Sequence, residues 1–153
     1  MLTPENLQWD GFYGFKLHSI INDKGEILTF TITQASKDDR TPLKQELFLD
    51  KIFGKLFADK GYLRKDLAKL LFIDGIQMIT HIKNNMKNSL MTLSDKILLR
   101  KRSVIETVND ELKNICLVEH SRHRSFGNFL SNMIAGLIAY SFLPKKSQIK
   151  FQN

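Results

Sequence analysis

"KLFADKGYLRKDLAKLLFIDGIQMIT", residues 55–80, decides the fold. Its first five residues make a short apolar run suited to a buried strand, and the run ends on Asp59. "KGY" then turns the chain into "LRKDLAKLLFIDG", a helical pattern with Leu67, Leu70 and Leu71 inward and Gly75 as its stop. "IQMITHI" follows as a second strand. Strand, helix and strand within so short a stretch form a right-handed crossover, so the two strands are expected to be parallel and central in a sheet. The fold class is therefore α/β. Asp59 falls at the carboxyl end of its strand, the edge at which open α/β sheets bind ligands. An aspartate there is equally an ordinary turn former, and the local sequence leaves both readings open.

Upstream, "GFYGFKLHSIINDKGEILTFTIT" reads as an antiparallel hairpin. Two runs rich in Phe, Ile, Leu and Thr flank Asn22 to Gly25, with glycine where a positive φ is easiest. His18 alternates along the first strand and is expected to be structural, while Asp38 and Asp39 are expected to shape a turn and cap the next helix. Thr41 and Pro42 open a helical pattern through Leu43, Leu47, Ile52 and Phe53, stopped by Gly54. Downstream, residues 83–93 are polar, rich in Asn and without pattern, as in a loop or insertion. Ser94 is expected to cap a long helix running to Ile115. A last helix, Phe126 to Phe142, offers Phe129, Leu130, Met133, Ile134, Leu137 and Ile138 for burial, and Pro144 ends it. Residues 145–153 form a basic tail and residues 1–10 a leader, so residues 1–153 read as a single domain without repeats.

Bulk properties narrow the function. A chain of 153 residues with 42% hydrophobic composition can build one real core, burying roughly two-thirds of its unfolded surface. Cys116 is the single cysteine, which excludes an internal disulfide and, with four scattered histidines, a Cys/His zinc cluster. A reducing cytoplasm fits, and "MLTPENLQWDGF" has no basic segment followed by an apolar run. "MIAGLIAYSFL" is too short to cross a bilayer, so no membrane partner is expected. Net charge is +7 and the pI about 9.5, favouring an anionic partner. The charge is also concentrated: between Thr80 and Arg102 there are six cations and one acid, and after Glu119 five cations and none. Such stretches suit a polyanion track.

Residues 100–113, "RKRSVIETVNDELK", carry a second pattern. On a helix, Ile105, Val108, Leu112 and Ile115 fall within about 80° of one another and form a core-facing seam. Arg102, Glu106, Asn109 and Lys113 share a wedge of about 60° beside it, at the boundary between core and solvent. Arg102 and Glu106 also have the spacing of a surface ion pair contributing roughly 0.3–0.5 kcal/mol.

In order, these elements resemble the ribonuclease H-like fold of DDE transposases of bacterial insertion sequences. "YGFKLHSIINDKGEI" is similar to their second and third strands, and "FADKGY" to the motif bearing their second catalytic aspartate. "RSVIETVNDELK" matches the Y-x2-R-x3-E-x6-K pattern of one large branch at Arg102, Glu106 and Lys113, with Leu99 where tyrosine is usual. "EHSRHRSFGNFLSNMIAGLIAY" is similar to the closing helix of the nine-eighty-two group of insertion sequences. The resemblance runs from Gly11 to Lys146. It implies a mixed sheet with flanking helices and DNA cleavage and strand transfer with Mg²⁺, in which Asp59 and Glu106 are catalytic carboxylates and metal ligands. Hard oxygen donors suit that ion, and two such ions can activate water and stabilise a leaving oxygen. Arg102 and Lys113 would hold DNA phosphates, for which a guanidinium fork offers two donors at once. His120, Arg122, His123 and Arg124 form a basic loop that suits DNA phosphates and suits solvent equally.

The resemblance implies three carboxylates, the first on a strand preceding the hairpin. "MLTPENLQWD" contains Pro4 and no apolar run fit for a central strand. Asp10 sits where the hairpin begins and reads as a strand-entry residue, with Glu5 a poorer candidate still. The first strand is therefore expected to be missing, the chain to be the C-terminal part of a longer transposase, and its activity alone to be poor. DNA is the expected partner, with a second copy or a full-length transposase beside it. A non-catalytic fragment that binds DNA or inhibits a transposase is the alternative.

Overall fold

The computed structural model describes residues 2–7, 14–62, 64–80, 92–100, 103–117, 125–144 and 146. Within these, β1 (Leu2–Leu7), β2 (Phe15–Ile21), β3 (Ile27–Gln34), β4 (Gly54–Ala58) and β5 (Ile76–Thr80) lie side by side in the order β3-β2-β1-β4-β5. β2 is antiparallel to both β1 and β3, whereas β4 and β5 are parallel in register from Gly54↔Ile76 to Ala58↔Thr80. The two halves join where β1 meets β4, in parallel, at the pair Leu2↔Ala58.

The strand at Leu2–Leu7 corrects the expectation that no strand precedes the hairpin. All six of its residues pair with β2, from Leu2↔Ile20 to Leu7↔Phe15. Backbone pairing rather than an apolar pattern makes this strand. Pro4 lies past the pair with β4, where β1 has a neighbour on one side only and a missing N–H is tolerated. β1 also covers the hairpin edge that a missing strand would have left open.

The hairpin turn is built by Asn22, whose Oδ1 accepts the N–H groups of Lys24 at 3.0 Å and Glu26 at 2.9 Å, while Gly25 takes φ 74°. A 3-10 turn at Thr41–Lys44 and the one-turn helix α1 (Glu46–Leu49) stand where one longer helix was expected. Their buried residues are Pro42, Leu43 and Phe48, and Leu47 and Phe53 point outward instead, 91% and 83% exposed. The crossover helix α2 (Lys65–Ile73) buries Leu67 and Leu71 but leaves Leu70 exposed, because a helix this short presents one narrow stripe to the sheet. Gly75 ends the unit with φ 79° and accepts the Gly54 N–H at 2.9 Å, joining the starts of the two parallel strands. β4 lies inside the sheet and β5 at its edge, so only one of the two parallel strands is central.

After β5, helix is described over α3 (Leu93–Arg100) and α4 (Ser103–Asn114), and residues 101–102 of the expected long helix lie outside the described residues. Thr92, not Ser94, caps α3. Its Oγ1 accepts the Asp95 N–H at 3.2 Å and its own N–H reaches Asp95 Oδ2 at 3.0 Å, a reciprocal capping box. The expected loop at 83–93 falls outside the described residues except for Thr92 and Leu93. α5 (Phe126–Ser141) begins at Ser125, whose hydroxyl accepts the Asn128 N–H.

Two cores flank the sheet. On one face Leu17 and Ile21 of β2 pack with Ile105, Val108 and Leu112 of α4 and Phe129, Met133 and Leu137 of α5. On the other, Ile20, Leu56 and Ala58 pack with Leu43, Phe48, Leu67 and Leu71. β2 is covered on both faces, which explains its unbroken burial from Leu17 to Ile21. Tyr140 ties α5 to the hairpin by donating to the Gly25 carbonyl at 2.7 Å, and burial pushes its phenol up to about 12.

Candidate functional site

Asp59 is the first residue beyond β4, at the carboxyl end of the parallel pair. Its carbonyl accepts the Tyr62 N–H at 3.0 Å, closing a 3-10 turn at Lys60–Tyr62. Tyr62 is 2% exposed and packs with Leu56, Ala58 and Leu67, so the turn is pinned to the core immediately after the half-buried carboxylate. Burial raises the Tyr62 phenol, and the nearby Asp39 and Asp38 carboxylates raise it further. The acids after β3 therefore lie within electrostatic reach of the Asp59 turn.

Those two acids have separate roles. Asp38 accepts the Arg40 N–H at 2.9 Å and Nε at 2.7 Å on Oδ1, with Arg40 Nη2 on Oδ2. This Arg40 clamp holds the Asp38 carboxyl well below the usual range and shapes the turn as expected, but neither Asp38 nor Asp39 caps the next helix, whose first turn carries no side-chain cap. Asp39 pairs with Lys16 at 2.7 Å. His18 is fully buried, its Nε2 lies 2.8 Å from Thr33 Oγ1, and burial lowers its pKa. Its Nδ1 and the Tyr62 hydroxyl have no hydrogen-bond partner among the described residues.

Glu106 lies on α4, where Val104, Ile105, Val108, Asn109 and Leu112 are buried. Along the charged wedge Glu106 is exposed, Lys113 half-buried and Asn109 8% exposed, so the wedge does straddle the rim of the core. The seam itself ends early: Ile115 lies past the helix and is 59% exposed. Arg102, Arg122 and Arg124, along with Asp10, lie outside the described residues.

One buried carboxylate has no counterpart among the residues expected from sequence. Asp95, 1% exposed, accepts Lys55 Nζ of β4 at 2.8 Å and the Thr92 N–H, which locks α3 onto the sheet. The signal that could have found it is the Thr92-x-x-Asp95 spacing of a capping box. Among the described residues no group of three or more His, Cys, Asp or Glu could hold a metal ion. Asp59 and Glu106 offer the right donor atoms for Mg²⁺, but the described residues do not complete a site around them. Among the same residues no helix is long and apolar enough to cross a membrane.

In this mixed α/β sheet one acid, Asp59, stands at the carboxyl end of a parallel strand and a second, Glu106, on a helix packed against the sheet. Residues 6–126 match the model of the transposase DDE domain family, and the chain belongs to that family. Comparison with curated proteins and with solved structures gives no match. Membership carries DNA transposition and DNA binding at the level of the family, whose members generally use divalent metal ions.

Proposed function

We propose that this chain is the catalytic portion of an insertion-sequence transposase of the nine-eighty-two group, built on a ribonuclease H-like sheet. The observation that carries the reading is Asp59 at the carboxyl end of β4, inside the segment that matches the family. The strand order, with β2 antiparallel among parallel β1, β4 and β5, supports the ribonuclease H-like part. In this reading Asp59 and Glu106 are catalytic carboxylates, presented from a turn pinned by Tyr62 and from a helix fixed by its buried seam. Arg102, Lys113, Arg122 and Arg124 hold DNA phosphates, and the work is done in the cytoplasm. Mg²⁺ would supply charge neutralisation at the phosphate. Two carboxylates hold it weakly, so the chain alone is expected to bind DNA well and process it poorly.

A second reading has one observation in its favour. Because the described residues assemble no cluster of three acids, the basic surface could hold DNA, or join a complete transposase, without chemistry. A supercoiled plasmid separates the two. With Mg²⁺ present, the first reading expects slow nicking and strand transfer that vanish in both Asp59→Ala and Glu106→Ala, with DNA retention unchanged in a gel shift. Nicking that survives both substitutions removes the site assignment. Retention with no nicking at any protein or metal concentration favours the binding module.

A further inference from the structure

Phe126, the first residue of α5, is 47% exposed, yet its ring is held. Its centroid lies 5.2 Å from that of Phe15 on β2 and 6.2 Å from that of Phe129, and Phe15 stacks on Phe129 at 5.4 Å with planes 23° apart. Phe129 is 3% exposed and anchors the three rings in the core between α4, α5 and the sheet. The outermost ring is therefore fixed before anything meets it, and a fixed ring loses little conformational entropy on contact. Beside it the surface is open: Ser125, Gly127 and Asn128 are exposed, and a Cβ added at Gly127 would meet nothing within 4 Å.

The strand register puts this ring on the side of Asp59. Leu2 of β1 pairs with both Ala58 of β4 and Ile20 of β2, and β1 runs parallel to β4. Phe15, paired with Leu7, thus stands five residues past the end of β4, in the direction in which the chain leaves for Asp59. That overhang is about 17 Å at roughly 3.3 Å per residue. The helix that carries Glu106 packs on this same face of the sheet.

We propose that Phe126 is a stacking platform for an unpaired nucleobase, which makes the chain prefer DNA carrying a single-stranded segment to blunt duplex. Charge selects the occupant. Arg122 and Arg124 precede Ser125 in the sequence, and residues 120–153 hold five cations and no acid. An aromatic face beside cations is the combination with which proteins hold single-stranded DNA, because every base has a π-face. A protein partner is disfavoured, since one ring among exposed Ser125, Gly127 and Asn128 makes no apolar patch of the size such a partner covers. The inference rests on the reading above that DNA is processed at Asp59, and it adds the form of DNA that the site takes. At roughly 3.4 Å per nucleotide along one strand, the overhang sets the stacked base about five nucleotides from the one at Asp59.

Fluorescence anisotropy of the full chain, at fixed salt, compares a short blunt duplex with the same duplex carrying a thymidine overhang. The wild type should bind the overhang form tighter by between about 5-fold and about 150-fold, the worth of one stacked base. Phe126→Ala should lose that preference. So should Phe126→Leu, which keeps apolar volume without a π-face, whereas Phe126→Trp should retain it, with circular dichroism native in all three. In a Trp9→Phe background the Phe126→Trp indole is the chain's one tryptophan, and the overhang form should quench its emission more strongly than the blunt duplex does. A wild type with no preference for the overhang overturns the platform while leaving DNA binding in place, as does a preference that Phe126→Leu keeps in full. An indole that the overhang leaves unquenched overturns it too, whatever the fold of the other variants. Failure to bind either DNA overturns the platform together with the reading on which it rests.

Discussion

His18 and Asp95 show how single residues set the response of this fold to acid. Burial lowers the His18 pKa from its ordinary 6.5, so the unfolded chain binds a proton at a pH where the folded chain does not. Stability from this group is complete above 6.5 and is lost as pH falls toward the folded value. Asp95 acts in a lower window. The Lys55 ammonium and the Thr92 N–H keep its carboxyl below the ordinary 3.8, so its contribution is complete above 3.8 and is lost beneath it. Urea midpoints measured across acid and neutral pH should therefore fall in two steps. His18→Gln should flatten the upper step and Asp95→Asn should shrink the lower, to which the Arg40-clamped Asp38 also contributes, with Asp95→Asn also less stable than wild type at neutral pH. The role of His18 is legible from its alternation along a strand. The Thr92-x-x-Asp95 spacing marks the capping role of Asp95 but not its burial, because an acid in the first turn of a helix ordinarily faces water, and only the arrival of Lys55 from β4 buries it.

At the scale of elements, α4 carries the clearest case of a legible pattern that the structure cuts short. Ile105 is fully buried while Ile115, on the same predicted seam, lies beyond the helix and is 59% exposed. Ile105→Ala should cost about 2–5 kcal/mol in chemical denaturation, and Ile115→Ala less than about 0.5 kcal/mol. Equal costs would mean that the helix continues past Asn114. In α5 the ambiguity is of another kind. Its hydrophobic residues surround the helix, so the expectation that Ile134 and Ile138 are buried is corrected: both are exposed, while Tyr140 is buried. Tyr140 is held in place by its bond to the Gly25 carbonyl in the hairpin turn. β1 is the opposite case: no side-chain signal marks it, and its strand conformation comes from pairing with β2.

For the whole molecule, the net charge of +7 suits the DNA binding that membership of the family implies. Each phosphate neutralised by Lys or Arg contributes a slope of roughly −0.9 to the dependence of log K on log salt. Removing Arg102 or Lys113 should weaken retention of any duplex and reduce that slope by about one per residue, measured by fluorescence anisotropy across salt concentrations. An unchanged slope would take these residues off the phosphate track. By itself the sequence determined the crossover unit from residue 55 to residue 80, the hairpin turn at Gly25, the buried stripe of α4 and the charge density that favours an anionic partner. Each rests on neighbours along the chain: apolar spacing, a glycine at positive φ, local charge density. Only the tertiary structure decided that Leu2–Leu7 lies between β2 and β4, that Tyr62 pins the Asp59 turn, that Asp95 is buried and that β3 is left at the edge. These depend on which surfaces meet across the sheet, and residues far apart in the chain carry no local mark of that meeting.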